Sequence, residues 1–433
     1  MTVQNKPGAG QLDPTFGIEG VKRISVPGYP NFSIDCVGIG PDQQIYCAGV
    51  SDIHDHPTLI LGRFHSDGTL DTRFGNAGFT HGAYGDFSLL KVNAITFGPV
   101  GKILVFCTVA GSAAQHAAAF SRFDTNGLPD PAFADQGNAV FDIVLAPPAA
   151  TAPTATTQAS SASASASASV RSGMQVLPDG KILAHINYFF NWGTLQGLIM
   201  RLNEDGTLDL SLNQIGYFMV FHPDDRFTGT VLRNLLVQDD GKYLCCGNLI
   251  TQMSAPSPAM FARYNTNGDR DRSFGVDGFV SVADDTNANL IDTIVKLPNQ
   301  KILGVGFTGD DAGVMISLES DGSENNDFNG GKPLYTRLEP NAITVWRGVA
   351  IQKDGKIIVT GAVGPLNGQT DIVVARLINA NFDSDFNDGK GWTRTHVESG
   401  TEYAVGMTLQ DEDKILVCAR LPKSKSALLR YNT

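Results

Sequence analysis

The chain contains no run of 18 apolar residues. Crossing a bilayer with a helix takes about 20, so no membrane insertion is expected. Basic clusters are also scarce: the largest is "PKSKS", around Lys423 and Lys425. Acids outnumber bases by 44 to 32, and the formal charge is −12. A chain of that sign is repelled by phosphate backbones and anionic lipid, which argues against nucleic acid as a partner. There are six cysteines, Cys36, Cys47, Cys107, Cys245, Cys246 and Cys418. No pair of them has a metal-ligand spacing. Five fall in one kind of apolar strand, where cysteine serves as a small buried side chain. The signatures G-x-S-x-G, H-E-x-x-H and the Walker loop are missing too, which leaves no ready-made catalytic motif. The first residues, "MTVQNKPGAG", lack the basic and apolar regions of a secretory signal. That points to the cytoplasm, or to export without a cleavable signal.

Glycine, by contrast, is plentiful at 47 residues, and much of it lies in Asp-Gly and Asn-Gly pairs that suit tight turns. One turn recurs seven times, anchored at Gln44, Lys102, Lys181, Lys242, Lys301, Lys356 and Lys414, as in "DGKILAHI" and "DGKIIVTG". The spacings are 58, 79, 61, 59, 55 and 58. The long interval holds "APPAATAPTATTQASSASASASASVRS", whose composition predicts a disordered insert at about 146–170 within a single domain, 1–433. A second motif, "ARYNTNGDRDRSFG" and its relatives, begins at Arg63, Arg122, Arg201, Arg263, Ser317, Arg376 and Arg430. The fifth copy has Ser for Arg, and the sixth is one residue short. Each repeat reads as four short strands, a to d, rich in Val, Ile and Phe and bounded by Gly, Asp and Asn. Seven such units predict an all-β, seven-bladed β-propeller of four-stranded antiparallel blades.

The last copy, "ALLRYNT", stops inside the motif, and "QLDPTFG" near the start supplies the rest. The ring is therefore expected to close when an N-terminal strand, "VKRISV", completes the C-terminal blade. The two anchors in register resemble the bacterial delta-60 repeat family over nearly the whole chain outside the insert. That family is defined by its repeat and not by an activity, so the resemblance implies a propeller and carries over no catalytic residue.

In such blades the a–b and c–d turns share one face of the disc, and the b–c and d–a loops share the other. The first set is uniform and the second varied, so function is expected on the b–c/d–a face. The candidates follow from that. Asp35, Asn93, Ser172, Arg233, Asp292, Arg347 and Val405 each stand nine residues before an anchor, where they would ring the channel mouth, either holding a polar ligand or pairing across blades. The loop "INYFFNWGTLQG" carries Tyr188, Phe190 and Trp192, suited to stacking on a sugar or anchoring a protein, or else to packing between blades. His54 and His56 in "SDIHDHPT" form a His-x-His pair with which a divalent metal would be compatible. "FDTNGLPD" and "YNTNGDRD" have the oxygen ligands of a calcium loop but lack its terminal Glu, and read first as turns. "GVGFTG" matches a dinucleotide motif in letters, yet a strand follows it and Gly306 aligns with Gly49, Gly247 and Gly361. No cofactor is required by any of this. The reading is a monomeric, non-catalytic binding or scaffold propeller for a protein or glycan. Two alternatives stand beside it: a polysaccharide-directed hydrolase or lyase at the channel mouth, and a component of an exported or toxin assembly.

Overall fold

A computed structural model describes residues 8–53, 56–111, 116–143, 173–189, 195–251, 256–284, 286–366, 368–410 and 414–433. The Ala/Ser-rich insert lies outside them. Seven antiparallel sheets follow one another along the chain, six of them with their strands in sequence order from the axis outward and the seventh completed by a strand from near the start of the chain. Blade 1 comprises Ser33–Ile39, Ile45–Ile53, His56–Phe64 and Phe79–Gly82. The innermost strands of blades 2 to 7 are Leu89–Phe97, Met174–Val176, Phe227–Val237, Asn289–Lys296, Ala342–Ile351 and Tyr403–Gln410. Each touches the next, and Tyr403–Gln410 returns to Ser33–Ile39, so the ring is closed. Among the described residues no helix is long and apolar enough to cross a membrane.

The hydrophobic core is divided into seven clusters, one at each interface between adjacent blades. The second and third strands are covered on both faces by neighbouring blades. For this reason Ile103–Ala110, "ILVFCTVA", is buried almost throughout instead of alternating. All six cysteines are free, and all but Cys36 are buried. Burial pushes the thiols of Cys47, Cys107 and Cys245 up to about 12, which leaves them unreactive.

The expected closure is present. Val21–Ile24 pairs antiparallel with Ser426–Leu429 as the fourth strand of blade 7. Upstream, Asp13 N donates to Arg430 O at 2.8 Å and Gly10 N to Asn432 O at 2.9 Å. Phe16 is fully buried in the cluster between blades 7 and 1. Residues near the start of the chain thus complete the motif that "ALLRYNT" leaves open.

Candidate functional site

The two repeat anchors meet at the c–d corners, and their role there is structural. In six blades the motif arginine binds the motif aspartate: Arg63–Asp71 at 2.8 Å, Arg122–Asp130, Arg263–Asp271 and Arg376–Asp383 at 2.7 Å, Arg201–Asp209 at 2.6 Å and Arg430–Asp13 at 2.9 Å. The turn lysine joins from below, as with Lys181–Asp209 at 2.9 Å and Lys414–Asp13 at 2.9 Å. Several of these arginines also donate to a backbone carbonyl in the next blade's corner, as Arg63 does to Thr125 O and Arg201 to Thr266 O, both at 2.6 Å. The guanidinium lies over the motif phenylalanine, with Arg122 4.7 Å from the centre of Phe133. Burial opposes the charge on Asp13. Hydrogen bonds from Lys414 and Thr15 and the charge of Arg430 outweigh it and hold the carboxyl at about 2. Blade 5 replaces the pair by Ser317 and Asn325, which hydrogen-bond at 2.9 Å. The calcium-like loops are consumed in the same way. Asp124 accepts from the N–H groups of Asn126 and Leu128, and Asp130 and Asp271 are neutralised by Arg and Lys.

The residues nine positions before each anchor lie within the innermost strands and not at their entrance. In six blades each is the extra residue of a β-bulge: Asp35, Asn93, Arg233, Asp292, Arg347 and Val405. Ser172 lies outside the described residues. The bulge explains the glycine shared by four second strands. A Cβ on Gly361 would sit 1.7 Å from Val345 O, and one on Gly247 1.7 Å from Val231 O. "GVGFTG" is therefore a bulge-facing glycine in a strand and not a nucleotide loop.

Several of these bulge residues pair. Asp292, fully buried, receives Arg233 from blade 4 at 2.7 Å and Arg347 from blade 6 at 2.8 Å, one on each carboxylate oxygen. Phe307 lies 5.1 Å from the Arg347 guanidinium. Asp35 is bound by Arg420 and accepts the N–H of Val92. Burial raises the Asp35 carboxyl above its usual range, against the pull of Arg420 and Lys91. Asn93 donates to Thr108 at 2.7 Å.

The aromatic candidate Tyr188 is not on a loop. It is in the strand Ile182–Phe189, and its side chain is fully buried in the cluster between blades 2 and 3. This removes it from any ligand surface. Phe190, Trp192 and His54 lie outside the described residues. His56 begins the strand that pairs with Ile45–Ile53, opposite Ile53, and its side chain lies outside what is described.

The b–c/d–a face also carries a cleft outside the repeat motifs. It measures about 380 Å³ and opens on blade 5, lined by Asp284, Asn287, Thr308, Asp310, Tyr335 and Arg337, with Ala312 and Thr336. Tyr335 is 43% exposed, and its hydroxyl donates to Asp284 at 3.2 Å. Hydrogen bonds from Thr286 and Asn287 hold Asp284 at about 2. Asp310 binds Arg337 at 2.6 Å and Thr308 at 2.5 Å, and is likewise held below the ordinary range, the Thr308 bond contributing most. These residues come from a d–a loop, a b–c loop and an outermost strand. No spacing in the sequence links them.

A family model described as a domain of unknown function (DUF5122) beta-propeller matches residues 177–212 and 352–378. These are the turn-to-corner half of blade 3 and the middle of blade 6. No curated protein matches the sequence. Among solved structures, the chain is similar to a protein of unknown function from Dyadobacter fermentans, at 10% identity and TM-score 0.46, covering 96% of this chain and 100% of that one. It is similar to Sqt1 from Chaetomium thermophilum at 10% identity and TM-score 0.45, over 94% and 97% of the two chains. It is also similar to the polysaccharide lyase Uly1 at 12% identity and TM-score 0.45, over 81% and 78%. None of the three bears on function, and the chain stands among β-propellers.

Proposed function

We propose that this chain is a non-catalytic binding propeller that presents its b–c/d–a face to a glycan. The observation that supports this most directly is the blade 5 cleft. It pairs one exposed aromatic ring with ionised carboxylates and a guanidinium. Sugars offer apolar ring faces for an aromatic to cover and hydroxyls that donate to carboxylates and accept from arginine. The volume lies within the usual range for small-ligand sites, about 300–1,000 Å³. The resemblance to the delta-60 repeat family fits a scaffold whose identity lies in its repeat.

The channel-mouth enzyme reading is less well supported. Both oxygens of Asp292 are engaged by Arg233 and Arg347, and Asp35 is bound by Arg420. A general acid or nucleophile needs a carboxyl that can reach substrate. The assembly reading, with the insert as tether, turns on residues outside the described ones. A protein ligand on the same face remains the second reading.

A glycan array followed by calorimetry on the best hit tests the proposal. Tyr335→Ala and Arg337→Ala should each weaken binding at least tenfold with the fold retained. A blank array at high protein concentration, or unchanged affinity in both variants, would remove the cleft as a glycan site.

A further inference from the structure

A second cluster lies on the same face, at the junction of blades 6 and 7. Asp371 opens the third strand of blade 6, His396 follows its outermost strand Trp392–Thr395, and Glu402 stands just before Tyr403–Gln410 of blade 7. His396 Nδ1 is 2.8 Å from Asp371 Oδ1. One donor atom from each of the three residues lies within 4.8 Å of the others.

Glu402 is fully buried. Its carboxylate accepts backbone N–H groups from Val397, at 2.9 Å, and Glu398. Among the described residues no lysine or arginine pairs with it. A buried carboxylate without a cation is costly. Asp371, also buried, gives its other oxygen to Arg394 Nε at 2.6 Å, and Arg394 continues to Glu339 at 2.8 Å. Asp371 and Glu339 therefore share one guanidinium and Glu402 has none, so three carboxylates face a single arginine charge, with only the His396 imidazole beside it. Arg394 occupies the outer position from which a partner fixes a ligating carboxylate and leaves its inner oxygen aimed at the site. His396 is half exposed, so the cluster is open on one side to water.

We propose that Asp371, His396 and Glu402 bind a divalent transition-metal ion of the Zn²⁺ or Mn²⁺ type, bracing the connection between blades 6 and 7. Imidazole excludes Ca²⁺ and Mg²⁺ as the natural occupants, since both take oxygen donors. Ligands at about 2.0–2.2 Å from an ion stand roughly 3–3.5 Å apart when they flank it. The Asp371–His396 pair, hydrogen-bonded at 2.8 Å, gives up its shared proton and opens slightly to admit the ion, and Glu402 must close in by about 1 Å. Water completes the shell on the open side. The ion's two charges offset those the cluster leaves over. The connection is already tied at one point, where Thr370 and Glu402 exchange hydrogen bonds of 2.8 Å in both directions. A bound ion would tie its other end at His396.

The test is calorimetric titration of chelator-treated protein with Zn²⁺, with thermal melting and Mn²⁺ EPR in parallel. The expected result is one ion per chain, a raised melting temperature, and at least tenfold weaker binding in both His396→Ala and Glu402→Gln. His396 is exposed, so its variant should fold even where Glu402→Gln does not. No saturable binding overturns the proposal. So does an affinity unchanged in His396→Ala, which would place the ion elsewhere, for example at His54 and His56.

Discussion

Arg430 and Asp13 lie 417 residues apart along the chain, and Arg430 Nε donates to Asp13 Oδ2 across 2.9 Å. Lys414 reaches the same carboxylate at 2.9 Å. This contact, with the strand pairing of Val21–Ile24, joins the two ends of the ring, and it repeats in form the contact that each of five other blades makes within itself.

The clasp should therefore carry the stability of the whole ring. Asp13→Ala leaves Arg430 and Lys414 without their shared partner, and breaking a buried pair costs about 3–5 kcal/mol. Removing residues 8–27 takes away Phe16 and the strand Val21–Ile24 as well. It should abolish a single cooperative urea transition. An unchanged transition after that deletion would disprove closure by this segment.

Acid should loosen five of the corners together. Burial opposes ionisation of Asp209, but hydrogen bonds from Ser211 and Lys181 and then Arg201 outweigh it, so its folded carboxyl is held below the ordinary value. Asp13, Asp71, Asp130 and Asp271 are shifted the same way. A depressed folded pKa gives stability that is complete above the unfolded value, about 3.9, and lost as pH falls through the folded one. Wild type should lose urea resistance between about pH 4 and pH 2. Asp209→Asn should be weaker at pH 7, and its deficit should shrink across that window.

The bulge-facing glycines should reject the smallest side chain. Gly361→Ala puts a methyl 1.7 Å from Val345 O and should cost about 3 kcal/mol or more, in the range of backbone-strain effects. Gly406, beside the bulge of blade 7, is different: a Cβ there would meet nothing within 4 Å. Gly406→Ala should change the urea midpoint little, within about 0.5 kcal/mol. Equal costs at the two positions would refute the steric reading.

Asp292→Ala should damage stability, since it removes the buried carboxylate that Arg233 and Arg347 share and leaves the two cations facing each other. The expected loss is about 3–5 kcal/mol, measured by urea denaturation. A near-neutral result would mean the two arginines find solvent.

Blade 5 offers a test by restoration. Ser317→Arg alone inserts a charge opposite Asn325, whereas Ser317→Arg with Asn325→Asp rebuilds the pair seen in six blades. A double-mutant cycle should give a favourable coupling of about 1–3 kcal/mol. Zero coupling would show that the blade 5 corner has diverged too far to accept the pair.

Most of the architecture was legible because it repeats. Two anchors in register located every blade, and the half motif at Arg430 pointed to its completion at Asp13. The bulge ring was legible as a column of positions from Asp35 to Val405, but its pairings were not. Asp292 meets arginines 59 and 55 residues away, and which of seven equivalent neighbours bonds depends on packing across interfaces. Tyr188 was open between a loop aromatic and packing between blades, because an apolar run at a strand end looks like an aromatic loop until its covering blade is known; its burial fits the packing reading. The blade 5 cleft and the Asp371–His396–Glu402 cluster left no trace. Their residues come from unrelated loops outside the repeat motifs, so no period brings them together.

The corner arginines also give the ring a sense of rotation. Arg63 bonds forward to Thr125, Arg122 to Glu204, Arg201 to Thr266, Arg263 to Ser320 and Arg430 to Ser66, always toward the next blade. At blade 5 the sequence changes hands: the Ser317 hydroxyl turns inward to Ile302 O at 2.9 Å. Nearer the axis, Asp292 and Arg347 hold blades 5 and 6 together. At its c–d corner that junction lacks the forward arginine bond, and its ties lie inward at Asp292–Arg347 and on the opposite face at Arg394–Glu339. Pulled apart on the corner face, the disc should open first between blades 5 and 6.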